Sequence, residues 1–277
     1  FIVLIFVYAW RMNRIDAKFR ELKAHGRKAL IIYLTCGYPD LNTTEKLVLE
    51  SEKKGADIVE LGVPFSDPLA DGPVIQEASE RALKRKITLR DILALAKRVR
   101  SKSQIPLCLM GYYNPIFSFG RERFIREARE AGVDGVIIPD LPPEEDRELV
   151  SLAKAADFKT IFFLSPTSSV ERIKYISRLS TGFIYYVSLT GVTGARQGLS
   201  PDLRRNMETI KKYARKPLCV GFGISRQEHI GEVFKIADGA IVGSAVIKVI
   251  KDNIGKKDLV EKTGKFIEGL RCIKKRY

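Results

Sequence analysis

One apolar run of this sequence is broken by an acid: Glu60 stands in IVELG, residues 58–62. Burying a carboxylate costs several kcal/mol unless it is paired or protonated. A glutamate near the end of a strand-like run is therefore a candidate proton carrier, the plain alternative being a side chain that reaches solvent or caps the next loop. The residues that follow, GVPFSDPLADGP (62–73), mix glycine, proline and short acids and read as a loop. They bring Asp67 and Asp71 close behind Glu60, although aspartates in such loops often serve only as turn or helix caps.

The C-terminal third carries a different signal. GVTGAR (191–196), GFGIS (221–225) and GSAVIK (243–248) each follow a strand-like run. Glycines let backbone N–H groups approach an anion closely, and a helix starting at Gly243-Ser244 adds the positive end of its dipole. Each motif alone is weak, because glycine is also the default turn residue. Placed after three consecutive runs, they point together to a phosphate ester. The two histidines, His25 and His229, fall in helical or helix-start positions, so neither a histidine metal cluster nor a histidine base is expected. No lysine closes a strand-like run, which argues against Schiff-base chemistry. Two carboxylates and a phosphate site suit carbon–carbon cleavage where the substrate supplies its own electron sink.

These residues need a frame that gathers strand ends. Eight apolar runs recur: 29–34, 57–61, 106–110, 135–139, 160–164, 183–187, 217–220 and 239–243. Such continuous runs suit a parallel sheet buried on both faces. Amphipathic helical stretches separate them, among them 44–55, 89–102, 121–132, 143–156 and 169–180, with Gly55 and Gly132 just past two helix ends and Pro143 opening another. The expected fold is an α/β (β/α)8 barrel, with an open doubly wound sheet as competitor. A helix over 15–26 precedes the first strand and is placed to cover the barrel bottom; another, over 258–275, closes the chain. No linker-like tract divides it, so residues 12–277 are expected to form one domain. Residues 1–11 begin with FIVLIFVYAW, about half the length that a bilayer-spanning helix requires, and lack the basic start and cleavage site of a signal peptide. They are expected to be a non-native or read-through extension ahead of Met12.

Composition narrows the class further. The 277 residues carry a formal charge of +15, yet Lys and Arg are scattered among acids along most helices, which argues against a nucleic-acid stripe. Cys36, Cys108, Cys219 and Cys272 are widely spaced, suggesting neither disulfides nor a metal pair. A cytoplasmic protein with no membrane association is the expectation.

VELGVPFSDPLADGPVIQEASERAL (59–83) resembles the signature of the tryptophan synthase alpha family. Further matches include YLTCGYPD (33–40), LMGYYNPIFSFG (109–120), GVDGVIIPDLPPEE (132–145) and YVSLTGVTGAR (186–196). The resemblance implies a (β/α)8 barrel that cleaves indole-3-glycerol phosphate to indole and glyceraldehyde 3-phosphate, with catalytic Glu60 and Asp71. It places substrate contacts on Gly194, Gly223, Gly243 and Ser244, pocket-lining roles on Tyr112, Tyr185 and Thr193, and a partner contact on Asp67 and Pro68. Asp140 matches an acid near the site mouth; Tyr38 stands where some members carry Asp. The implied partner is a beta subunit in an alpha-beta-beta-alpha heterotetramer, with pyridoxal phosphate confined to that subunit, no cofactor in this chain and no metal. A free-standing lyase and a non-catalytic beta-subunit partner are the alternatives.

Overall fold

Strand residues alternate between two environments, and this alternation decides what the barrel interior holds. The computed structural model describes residues 13–187, 201–221 and 223–271. Its elements run α1 (Arg14–Ala24), β1 (Ala29–Thr35), α2 (Leu41–Lys53), β2 (Ile58–Gly62), α3 (Pro73–Leu83), α4 (Leu89–Arg100), β3 (Leu107–Met110), α5 (Tyr113–Phe119), α6 (Arg121–Glu130), β4 (Gly135–Ile137), α7 (Arg147–Ala155), β5 (Lys159–Ile161) and β6 (Phe163–Leu164). Then follow α8 (Val170–Leu179), β7 (Ile184–Val187), α9 (Pro201–Tyr213), β8 (Leu218–Gly221), α10 (Gln227–Ile236), β9 (Gly239–Val242), α11 (Ser244–Lys251) and α12 (Leu259–Arg271).

All strand pairs are parallel, in the order β5-β4-β3-β2-β1-β9-β8-β7-β6. The two ends of that order are one piece of chain. Within residues 159–164, β5 pairs with β4 and β6 pairs with β7. A single extended segment thus changes partners about Phe162 and closes the ring. The fold is the (β/α)8 barrel anticipated from eight apolar runs, with the fifth run divided in two.

Ile31, Ile58, Cys108, Ile137, Ile161, Tyr185, Cys219 and Ile241 pack together inside the barrel. Residues of opposite parity, such as Leu30, Ile32, Val59, Leu61 and Leu109, pack outward against the helices. The first helix plugs the bottom of the barrel: Ile15, Phe19 and Leu22 join the interior cluster, and the Phe19 and Phe183 rings sit 5.8 Å apart. Burying each such side chain contributes about 2 kcal/mol. Asn13 starts α1 by accepting the Ile15 N–H at 3.0 Å.

Three aspartates pin strands at the same end. Asp57 accepts the N–H of Leu30 (2.8 Å), Asp134 that of Leu107 (2.9 Å) and Asp238 that of Leu218 (3.1 Å). They belong to the stability face of a barrel rather than to its chemical face.

Some boundaries differ from the sequence expectation. The helix expected from Pro143 begins at Arg147, because Asp146 caps it by accepting the Leu149 N–H at 3.0 Å, while residues 143–145 form a turn. Helices α3, α5, α9 and α10 also occupy stretches that the apolar pattern did not single out. His25 is the C-cap of α1 rather than a member of it. Residues 1–12 and 272–277, with Cys272, lie outside the described residues. No described helix is long and apolar enough to cross a membrane.

Candidate active site

Glu60 shares its inward parity with Ile58, so the strand itself aims the carboxylate into the barrel. It is wholly buried, opposite Tyr33 on β1 and Cys108 on β3. Neither carboxylate oxygen has a hydrogen-bond partner among the described residues. Burial pushes its pKa from 4.5 up to about 8. A lone carboxyl in that state keeps its proton at neutral pH and has an acid to give.

Asp71 approaches from the β2–α3 loop and is half-buried. Burial raises its pKa, and a hydrogen bond from the Tyr112 hydroxyl opposes the rise. That hydroxyl also accepts the Ala70 N–H at 2.9 Å, and its ring stacks on Phe65 at 5.1 Å. On the other side Gln76 donates to the Asp71 carbonyl at 2.8 Å. The loop is therefore held on both flanks of its aspartate. Tyr112 is itself buried and stays outside the cavity lining, so it supports the loop where the resemblance implied a pocket wall.

A cavity of about 1020 Å³ opens over the strand ends. Glu60, Asp71 and Tyr185 line it together with Gly223, Gly243 and Ser244. Two tyrosines shape its floor. A Cβ on Gly62 would lie 2.1 Å from the Tyr33 hydroxyl oxygen, and one on Gly221 would lie 2.3 Å from that of Tyr185. Both rings lean over the next strand at a point where only glycine leaves room. Burial raises both phenol pKa values well above 10.

The far end of the cavity is suited to an anion. Gly243 precedes α11 and makes no side-chain cap, so the first N–H groups of that helix have no helical acceptor. Gly223 has φ +71°, a left-handed backbone that glycine adopts freely. Lys248 and Arg226 line the same space and bring cationic heads that the sequence reading did not single out. The signal for Lys248 was its spacing, one helical turn beyond Ser244.

Other expected residues fall elsewhere. Thr193 and Gly194 lie outside the described residues. Asp67 is exposed and Pro68 half-buried, beside Leu69, which is 85% exposed on the rim of a shallow depression. Asp140 does not line the cavity and accepts the Tyr113 N–H at 2.9 Å, at the start of α5. Tyr38 is buried in the core. His229 accepts the Ser225 N–H at 3.4 Å. Cys36, Cys108 and Cys219 are buried free thiols. Among the described residues, no group of three or more His, Cys, Asp or Glu side chains is placed to hold a metal ion.

Comparison with known proteins agrees with this fold. The tryptophan synthase alpha chain family profile matches residues 19–272. A tryptophan synthase alpha chain from Geobacter sp. (strain M21) is 50% identical over 260 residues, covering 94% of this chain and 97% of that protein. The crystal structure of tryptophan synthase subunit alpha from Legionella pneumophila str. Paris superposes with a TM-score of 0.88 at 40% identity, covering 94% of this chain and 97% of that one. A chain from the tryptophan synthase a2b2 complex of Pyrococcus furiosus gives a TM-score of 0.82 at 40% identity, covering 87% and 97%.

Proposed function

The chain belongs to the tryptophan synthase alpha chain family, whose lyase reaction splits indole-3-glycerol phosphate into indole and glyceraldehyde 3-phosphate, and we propose that Glu60 and Asp71 divide that reaction between them. Glu60 protonates indole C3, giving an indolenine whose C=N accepts the electrons of the breaking carbon–carbon bond. Asp71 accepts a hydrogen bond from the indole N–H and stabilises the positive charge that develops there. Glu60, now a carboxylate, takes the glycerol hydroxyl proton as the aldehyde leaves, which restores the starting protonation. Gly223, Gly243 and Ser244 hold the phosphate through backbone N–H groups at the mouth of α11, with Lys248 adding charge. Tyr185 walls the indole end, where Thr193 and Gly194 are expected to add contacts. No cofactor enters this step. Tyr112 acts as a positioning residue through Ala70 and Asp71.

One observation carries the assignment: a fully buried carboxyl with no partner among the described residues faces a cavity whose other end is built from the loop glycine Gly223 and the helix-capping Gly243. The loop that holds Asp71 also presents Asp67, Pro68 and Leu69 to solvent, which suits docking of a beta subunit that orders the loop and receives indole, in an alpha-beta-beta-alpha assembly. Pyridoxal phosphate belongs to that subunit, and the cytoplasm is the proposed compartment. The test is indole release from indole-3-glycerol phosphate by the wild-type chain and by Glu60→Gln, each with and without a beta subunit. General acid–base catalysis contributes typically about 10²- to 10⁴-fold, so the variant should lose that much while still binding substrate. Retention of more than about a tenth of wild-type kcat overturns the assignment. Failure of a cognate beta subunit to bind or accelerate the wild type overturns the docking role.

A further inference from the structure

At the opposite end of the barrel from the carboxylates lies a second cleft of about 720 Å³. Along the sequence its cations look dispersed; the fold collects them. Arg20 and Lys23 come from α1, Arg27 and Lys28 from the turn into β1, and Arg215 and Lys216 from the connection into β8. Only two acids, Asp16 and Asp238, share the lining. Asp16 already binds Lys159 at 2.8 Å, and Asp238 binds Lys28 at 3.0 Å. Arg27 is satisfied by Asp57 at 3.4 Å. Arg20, Lys23, Arg215 and Lys216 form no ion pair among the described residues.

This contrasts with the helical surface elsewhere. Pairs such as Arg81–Glu77, Arg123–Glu127, Lys262–Asp258 and Lys265–Glu261 place an acid one turn from the base. Four unpaired cations gathered in one concavity repel one another and focus a positive potential into it, where low-dielectric walls strengthen the field. An anion carrying several charges relieves that repulsion; a single carboxylate leaves most of it in place. The volume falls within the range of small-molecule sites.

We infer that this cleft binds a small, multiply phosphorylated anion, at a site separate from the lyase centre. The shared chemistry is a chain of phosphates, met by charge-assisted hydrogen bonds from Arg20, Lys23, Arg215 and Lys216. Its source is either free polyphosphate or a nucleoside polyphosphate.

Titration calorimetry of the full chain with sodium tripolyphosphate, and separately with ATP, at 0.15 M salt tests this. Excess glycerol 3-phosphate is present throughout to occupy the site at Gly243. The expected result is saturable one-to-one binding with Kd below about 1 mM. Affinity should weaken about tenfold or more in Arg20→Gln/Lys23→Gln/Lys216→Gln. The control Lys46→Gln/Lys97→Gln/Lys154→Gln removes the same charge from exposed helix positions and should bind as wild type does. Equal affinity for both probes identifies the phosphate chain as the whole ligand; tighter ATP binding identifies a nucleotide site. Equal losses in the two triple variants, absence of one-to-one saturation, or preferential binding of random-sequence duplex DNA that tripolyphosphate does not displace overturns the inference. Unchanged indole release by the cleft variant shows that its fold and lyase site are intact.

Discussion

Replacing Glu60 by glutamine should change how stability depends on pH, apart from any effect on activity. The wild-type carboxyl is buried with no hydrogen-bond partner, and its pKa stands at about 8 instead of 4.5. Below 4.5 it is protonated in both folded and unfolded states and contributes no slope. Between 4.5 and about 8 the unfolded chain releases a proton that the folded chain retains, so stability falls as pH rises. Above about 8 both states are ionised and the loss levels off. At about 1.4 kcal/mol per tenfold change in proton affinity, the full loss is on the order of 5 kcal/mol. Glutamine cannot ionise and lacks this slope. Urea unfolding of both proteins from pH 5 to 8.5 cancels the titration of every other group in the difference between them. That difference should move in favour of Glu60→Gln by about 3 kcal/mol between pH 5 and 7.5. Curves that stay parallel within about 0.5 kcal/mol would show that the Glu60 carboxyl is not held protonated, and the acid role would fall with it. The same reasoning gives kcat a falling limb above about pH 8, absent from any residual activity of the variant.

Further outcomes follow from the same geometry. Asp71→Asn should cost about 3–4 kcal/mol of transition-state stabilisation in kcat/KM, with Asp71→Glu less harmful if charge dominates; steady-state kinetics of indole release decides. Tyr112→Phe removes the acceptor of the Ala70 N–H and a donor to Asp71, so kcat/KM should fall by about 1 kcal/mol with little change in glycerol 3-phosphate affinity. Gly243→Val places a branched side chain at the helix mouth, against Tyr33, and should raise KM strongly; unchanged KM and glycerol phosphate affinity would remove this loop from the site. Gly62→Ala drives a Cβ to 2.1 Å from the Tyr33 hydroxyl and should destabilise by about 1–3 kcal/mol, read as a lowered urea midpoint.

Much of the barrel was legible because a strand buried on both faces leaves a continuous apolar run, and an acid such as Glu60 stands out against it. The loop glycines were legible for a similar reason: Gly243 abuts a helix start that local composition marks. The partition of the fifth run was not visible, since a change of pairing partner at Phe162 leaves no trace in composition. Helix α10 was missed although its apolar positions Ile230, Val233 and Ile236 are buried, for Gly231 and two β-branched neighbours give the stretch a weak helical preference. Tyr33 escaped notice because an aromatic residue in a strand reads as core until its hydroxyl is seen against Gly62. The contacts of Tyr112 and Asp140 were not legible for one reason: both accept backbone N–H groups, and such partnerships join residues 42 and 27 positions apart.

The seam at Phe162 also parts the labour of the enzyme. Every strand before it, β1 to β5, lies on one side of the chain, and with them come Glu60 and Asp71. Past it come β6 to β9, bringing Tyr185, Gly223, Gly243 and Ser244. One half thus carries the two acids and the other the residues proposed to hold the phosphate. Neither inventory is of use until the β1–β9 ladder, starting at Ala29 and Gly239, brings the halves edge to edge, with the continuous segment through Phe162 joining them on the other side. Ring closure in this molecule is therefore the event that turns two incomplete tool sets into a single workbench.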